Sequence, residues 1–206
     1  NYKFDSQPEH IRRGLRIIGD SMSSTVLQKN WTESSNTGAF LTFDPIDGYL
    51  GGGAEDLTLI TQSSSVENGK GTAIWITTTA SQCHGFLYFK NLNITGSTSD
   101  AWYYGIYSDG QNKVTAAQGV RDCRWENIHV FACAQKGVVL YNTVLSTWTG
   151  GGIYEAPAGS NADFQINGGG TSLTNSYHIS VYGMNILGDI VNSNSYYCTF
   201  SPSADT

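Results

Sequence analysis

Two series of short, apolar-alternating segments advance along this chain in step, and no helix-like stretch of ten residues interrupts them. "FKNLNI" (89–94) aligns with "WENIHV" (125–130), 36 residues later. "AIWITT" (73–78) aligns with "GIYSDG" (105–110) and then with "VVLYNT" (138–143), at steps of 32 and 33. A period of 20–50 residues without helix is the mark of a solenoid, whose units bury their apolar faces only by stacking on one another. An all-β solenoid of parallel strands is therefore expected, running through 1–206 as a single domain. Hairpin turns such as Asn-Gly are few, which argues against an antiparallel sandwich.

The pattern inside one repeat shows how such a chain turns. In "CRWENIHV", Cys123 and Trp125 share a face, but Ile128 and Val130 join them only if the alternation slips at Asn127. "YFKNLNI" slips at Asn91 in the same way. Asparagine tolerates left-handed backbone and can hydrogen-bond to its counterpart one rung away. Asn91, Asn127 and Asn185 are read as corner residues.

Composition fits this reading and narrows the function. Only 14% of the 206 residues are charged and the formal net charge is −6, with 24 Gly and 12 Tyr. That suits a β-rich surface of Thr, Ser, Asn and Tyr. An acidic balance without a basic cluster argues against nucleic acid. No apolar run approaches the ~18 residues of a membrane-spanning helix. The chain does not begin with Met, and it is expected to be a mature or excised portion of something longer. Cys83, Cys123, Cys133 and Cys198 lack C-x-x-C spacing, and His10, His84, His129 and His178 are scattered, so neither a metal site nor another cofactor is expected. A Cys123–Cys133 disulfide is one option; buried free thiols are the other.

"RIIGDSMSST" (16–25) has the Gly-Asp-Ser of an SGNH-type esterase. A β-branched, strand-like stretch follows it, however, and no His lies three residues after an Asp. A nucleophile without base or oxyanion donor is inert, so Ser21 is read as a turn residue.

"GLRIIGDSMSSTVLQKN", "GYLGGGAEDLTLIT", "GTAIWI", "FKNLNITG", "GIYSDG" and "RDCRWENIHVFAC" together resemble the pectate-lyase-like right-handed parallel β-helix of bacteriophage tailspikes and related appendages. The Gly-x-x-x-x-x-Thr-x-Leu element of that family reads here as Gly19, Thr25 and Leu27. The resemblance implies a right-handed, single-stranded parallel β-helix in a homotrimeric, extracellular virion tail appendage. Such an appendage binds, and often cleaves, bacterial surface polysaccharide. It also implies an N-terminal virion-binding part, attaching to baseplate or tail, which this sequence lacks. An adhesive or structural tail protein and a secreted microbial polysaccharide lyase or hydrolase are the alternatives.

Glycoside hydrolysis needs two carboxyl groups, about 5–5.5 Å apart for retention and about 6.5–9.5 Å for inversion. Strands one rung apart lie about 4.8 Å from each other, so carboxylates on neighbouring rungs reach either separation. Asp109, Glu126, Asp122 and Glu155 are the candidate catalytic acids, with Asp109 and Glu126 ranked first and a raised pKa expected from their crowding. Each has a plainer reading: Glu126 paired with Lys90, Asp122 with an arginine, Glu155 as a solvated loop acid. Trp102, Tyr103, Tyr107, Arg124 and Trp148 are the candidate sugar-binding residues, because pyranose C–H faces stack on aromatic planes. Tyr104 and Trp125 are assigned to the core by strand phase.

Overall fold

The computed structural model describes residues 1–8, 11, 14–31, 35, 38–44, 51–61, 71–77, 86–96, 101–109, 120–154, 163–167, 176–193 and 195–201. Its first strands are β1 (Tyr2–Phe4), β2 (Arg16–Ile18), β3 (Val26–Lys29), β4 (Ala39–Phe43), β5 (Gly53–Thr61) and β6 (Thr72–Thr77). The middle holds β7 (Tyr88–Thr95), β8 (Trp102–Asp109), β9 (Val120–Arg121), β10 (Arg124–Phe131), β11 (Cys133–Tyr141) and β12 (Thr143–Tyr154). The last are β13 (Phe164–Asn167), β14 (Ser176–Tyr182), β15 (Asn185–Ile186), β16 (Ile190–Ser193), β17 (Ser195–Tyr196) and β18 (Thr199–Ser201).

From β3 onward the chain passes back and forth between two sheets. One runs β1-β3-β5-β7-β10-β12-β14-β17 and the other β4-β6-β8-β11-β13-β16, and their ladders are parallel. Parallel neighbours need a long crossover, and here each crossover is the intervening strand of the other sheet. The result is an all-β stack of layers with its core between the sheets.

Inward positions form columns. Phe89, Trp125 and Trp148 are register partners, with ring centroids 4.0 and 4.4 Å apart and planes within 12°. Phe43 and Phe164 close the two ends of this aromatic column edge-on. Opposite it, Ile74, Ile106, Val138 and Phe164 stack in register. Burial of such side chains stabilises by about 1.5–3 kcal/mol each. The expected 36-residue step is confirmed by Phe89 opposite Trp125. The second series keeps a step of 32, so Thr77 and Asp109 are followed by Tyr141, not by Asn142 as the sequence alignment gave.

Asn91 and Asn127 do occupy corners, with φ of 49° and 52°. Asn185 does not: Gly183, at φ 60°, takes that corner and Asn185 pairs in β15 with Gly152. Ser21 sits in a tight turn, its carbonyl accepting from Thr25 N at 3.0 Å and its hydroxyl 2.9 Å from that of Ser24. Gly19 opens this turn; a Cβ there would lie 2.3 Å from the Asp56 carbonyl oxygen. Cys123 and Cys133 are free thiols, both buried, so the disulfide option falls.

Candidate functional site

The outer face of the first sheet carries a charged strip. Tyr88 and Arg124 are register partners, as are Glu55, Lys90 and Glu126, because side chains two apart share a face. The Tyr88 hydroxyl donates to Glu126 Oε2 at 2.6 Å, and Arg124 forms an ion pair with Glu126 Oε1. The guanidinium groups of Arg16 and Arg124 lie 5.5 and 5.9 Å from the Tyr88 ring centre, and Arg16 pairs with Glu55. A shallow hollow of about 300 Å³ beside this strip is lined by Phe86, Leu87, Tyr88, Asp122 and Arg124.

The electrostatics of the strip overturn one expectation. The Tyr88 hydroxyl bond, with the Arg124 and Lys90 charges adding to it, holds the Glu126 carboxyl below the usual range against partial burial. Burial and the Glu126 bond push the Tyr88 phenol up. Glu126 is thus a carboxylate at neutral pH, able to accept hydrogen bonds and unable to act as the general acid that crowding was expected to make of it. Its partners are Arg124 and Tyr88, where the plainer sequence reading had Lys90. Asp122 has the Arg121 Nε 4.0 Å from its Oδ2.

Asp109 lies elsewhere. It ends β8 in the second sheet, in the column Thr77, Asp109, Tyr141, Asn167, Ser193. Tyr103 and Tyr107 share its strand and are half-buried. Tyr104, assigned to the core by strand phase, lies instead beside Tyr107, with the rings stacked at 5.1 Å and 12°. The reason is a break in alternation: Gly105 and Ile106 are both buried, opposite a register shift between Cys133 and Lys136. Burial, then the Asp109 charge, pushes the Tyr107 phenol far up.

The proposed catalytic set is therefore split between two sheets. Asp122 and Glu126 border the same sheet, but Glu126 lies within β10 whereas Asp122 precedes that strand at a left-handed corner, with φ 55°. Glu155 lies outside the described residues. A carboxylate absent from the sequence-derived set, Glu55, stands two layers from Glu126 across Lys90, which sets their backbones about 9.5 Å apart.

Two binding candidates are corrected outright. Trp102 and Trp148 are both 0% exposed, so neither ring has a face to offer a sugar. Trp102 stacks on Phe40 and donates Nε1–H to the Thr95 carbonyl at 3.2 Å; Trp148 stands in the core column and donates to Ser146 Oγ at 3.1 Å. Arg124 keeps its predicted outward place, with 68% of its side chain exposed. Tyr88, Phe86 and Arg16 are what sequence reasoning underused. The 36-residue register already set Tyr88 beside Arg124, whereas Phe86 and Arg16 carry no comparable signal.

Among the described residues, no group of three His, Cys, Asp or Glu side chains is placed to hold a metal ion. A larger apolar hollow, about 380 Å³, is lined by Tyr2, Phe4, Ile17, Leu27 and Leu41 around the outermost strand of the first sheet, with Asp20 the acidic residue on its wall. No known protein family, curated protein or solved structure matches the chain.

Proposed function

We propose that this chain is a right-handed parallel β-helix of the bacteriophage-appendage type, and that it recognises bacterial surface polysaccharide along the Arg16–Glu55–Tyr88–Arg124–Glu126 strip. The observation that carries the reading is the arrangement around Tyr88. An exposed guanidinium and an aromatic ring line one open hollow together with Asp122, the Glu126 carboxylate holds both of these groups, and Phe86, 50% exposed, forms the rim. Carboxylate and guanidinium supply the acceptor and donors that sugar hydroxyls need, and the rings supply an apolar plane. The strip runs along the stack over three layers ~4.8 Å apart, which suits an extended linear ligand. The chain works extracellularly, on a virion tail, with copies assembled as trimers of parallel helices; this part of the reading rests on the resemblance noted above.

Cleavage is a second reading, favoured by one observation. Glu55 and Glu126 stand in one register column two layers apart, which brings two carboxylates to the same face of the stack. Both carboxylates are ion-paired, so cleavage requires the polysaccharide to displace Arg16 from Glu55 and leave that carboxyl protonated.

The test is incubation with capsular polysaccharides and lipopolysaccharides from a panel of bacteria, reading binding by calorimetry and fragments by mass spectrometry. Binding lost at least ~10-fold in Arg124→Ala, without fragments, supports recognition alone. Fragments that vanish in Glu126→Gln and Glu55→Gln support cleavage. Binding that survives Arg124→Ala and Tyr88→Ala moves the site to another face.

A further inference from the structure

We propose that Asp56, Asn91, Asn127 and His129 form a polarised hydrogen-bond ladder that fixes His129 as its Nε2–H tautomer and presents Nδ1, beside Phe131 and Tyr154, to a hydroxyl of a bound sugar. Only the ligand class rests on the polysaccharide reading above; the ladder rests on geometry.

Each corner residue directly follows a member of the register set Glu55, Lys90, Glu126, which puts Asp56, Asn91 and Asn127 one above the other. Asn91 Nδ2 lies 2.7 Å from Asp56 Oδ1, Asn127 Nδ2 lies 2.9 Å from Asn91 Oδ1, and His129 Nε2 lies 2.9 Å from Asn127 Oδ1. The direction of every bond follows from the first. A carboxylate only accepts, so Asn91 turns its amide nitrogen to Asp56 and its oxygen to Asn127. Asn127 must then donate to Asn91, which leaves its own oxygen facing the imidazole. An oxygen there requires a donor, so Nε2 carries the hydrogen and Nδ1 of the neutral ring is an acceptor.

The next corner position is Gly150, with no side chain to continue the ladder. His129 therefore caps it from two residues along its own strand. Its ring stands nearly parallel to those of Phe131 and Tyr154, at 6.4 and 6.0 Å with planes within 9°. Phe131 and Tyr154 are register partners stacked at 4.6 Å. Gly152 keeps this face open for the phenol, since a Cβ there would lie 2.3 Å from the Tyr154 hydroxyl. Burial lowers the imidazole pKa below its ordinary value, which keeps the ring neutral at pH 7. Among the described residues, the titratable groups facing it are Tyr154 on the neighbouring strand and, through the two amides, Asp56. This face adjoins the charged strip, from which only the corner at Asn127 separates it.

Nitrogen-resolved spectra of the histidine-labelled chain test the ladder without any ligand. A slowly exchanging Nε2–H on His129 is expected in the wild type. It should be lost in Asn127→Gly, which keeps the left-handed backbone, and shifted in Asp56→Asn, which keeps the geometry but removes the charge. His178 serves as the exposed control. An Nδ1–H tautomer in the wild type, or an Nε2–H indifferent to Asn127→Gly, overturns the ladder. For the ligand, each polysaccharide that binds in the panel is added to the labelled chain. A moved Nδ1 resonance, with binding weakened roughly 5-fold in His129→Phe, supports the subsite. A polysaccharide that binds and leaves Nδ1 unmoved overturns it. If none binds, the recognition reading and this ligand class fall together, while the ladder stands or falls on the tautomer.

Discussion

Two corners of the first sheet turn the chain through the same left-handed backbone conformation with opposite kinds of residue. The ladder corner has Asp56, Asn91, Asn127, Gly150 and Gly183, with φ between 49° and 68°. The other corner lies two residues before the register set Gly53, Tyr88, Arg124, Thr147, Ser180 and Thr199. It reads Gly51, Phe86, Asp122, Leu145, His178 and Tyr197, all at positive φ. Left-handed backbone costs most L-residues about 1–2 kcal/mol, and only Gly, Asn and Asp adopt it readily. At the ladder corner the side chains meet that cost locally and bond to one another. At the other corner Phe86, Leu145 and Tyr197 are 50%, 41% and 76% exposed, and their burial recovers little. There the sheet's register dictates a conformation that the residue itself opposes. Strain held on an exposed edge of this kind often accompanies a binding surface, and Phe86 and Asp122 do line the hollow of the candidate site.

The largest expected effect lies beside the ladder corner. Gly151, at φ 83°, follows Gly150, and a Cβ on it would lie 2.1 Å from the Ile128 carbonyl oxygen, a backbone atom in the adjacent layer. Gly150 meets nothing within 4 Å. Gly151→Ala should destabilise by about 4 kcal/mol, the sum of left-handed strain and a clash that only strand separation relieves. Gly150→Ala should cost about 1 kcal/mol, for the conformation alone. Denaturant midpoints of the pair measure the difference, and equal losses would mean the layers at this corner are not packed as closely as described.

Asn127→Leu comes next, at about 2–3 kcal/mol. It removes two ladder hydrogen bonds worth about 1 kcal/mol each and places a branched side chain at φ 52°. Asn127→Gly restores the backbone freedom and should recover about half of that loss. If Gly recovers all of it, the ladder contributes no stability and the corner is purely a matter of backbone conformation.

The same substitution logic predicts the opposite sign at the other corner. Leu145→Asn replaces a half-exposed leucine at φ 55° with a residue that accepts this conformation, and should stabilise by about 1 kcal/mol. In a chain of this size that raises Tm by about 2–4 °C. A lower Tm would show that the Leu145 side chain is held by contacts that outweigh its strain.

The contrast also explains what the sequence could and could not tell. The ladder corner was legible because the 36-residue step aligns Asn91 with Asn127 and each marks the slip in alternation, from which followed the inward places of Trp125, Ile128 and Val130. The other corner carried no such mark. Leu145 slips the phase with the residue least expected to do so, which turns Ser146 and Trp148 inward and made Trp148 look like a surface aromatic. Gly105 did the same for Trp102 and Tyr104. At the candidate site, Arg124 and Glu126 and their alignment with Tyr88 and Lys90 were readable from the register. Asp109 and Glu126 already fell in different segment series; what the repeat did not show is that the two series form separate sheets with the core between them.

The smallest effect concerns Glu126, which belongs to the strip between the two corners. Its carboxyl pKa is lowered in the folded chain, first by the Tyr88 hydroxyl bond. A lowered carboxyl contributes stability above the unfolded value of 4.5, and that contribution disappears as pH falls through the folded value. Tyr88→Phe removes the bond and brings the carboxyl back toward its ordinary range. At pH 7 the variant should be less stable by about 0.5–1 kcal/mol, a modest figure because water reaches a partly exposed carboxylate. Once Glu126 is protonated in both proteins the gap should narrow, so their denaturation midpoints converge as pH falls below 4.5 and through the lowered folded value. The arginines that flank the ring act at all of these pH values and do not produce this convergence. A gap that stays constant throughout the acid range would assign the Tyr88 contribution to its ring packing under Arg16 and Arg124. The strip would then be held together by cation–π contact and the Arg124–Glu126 ion pair, without a contribution from the Tyr88 hydroxyl.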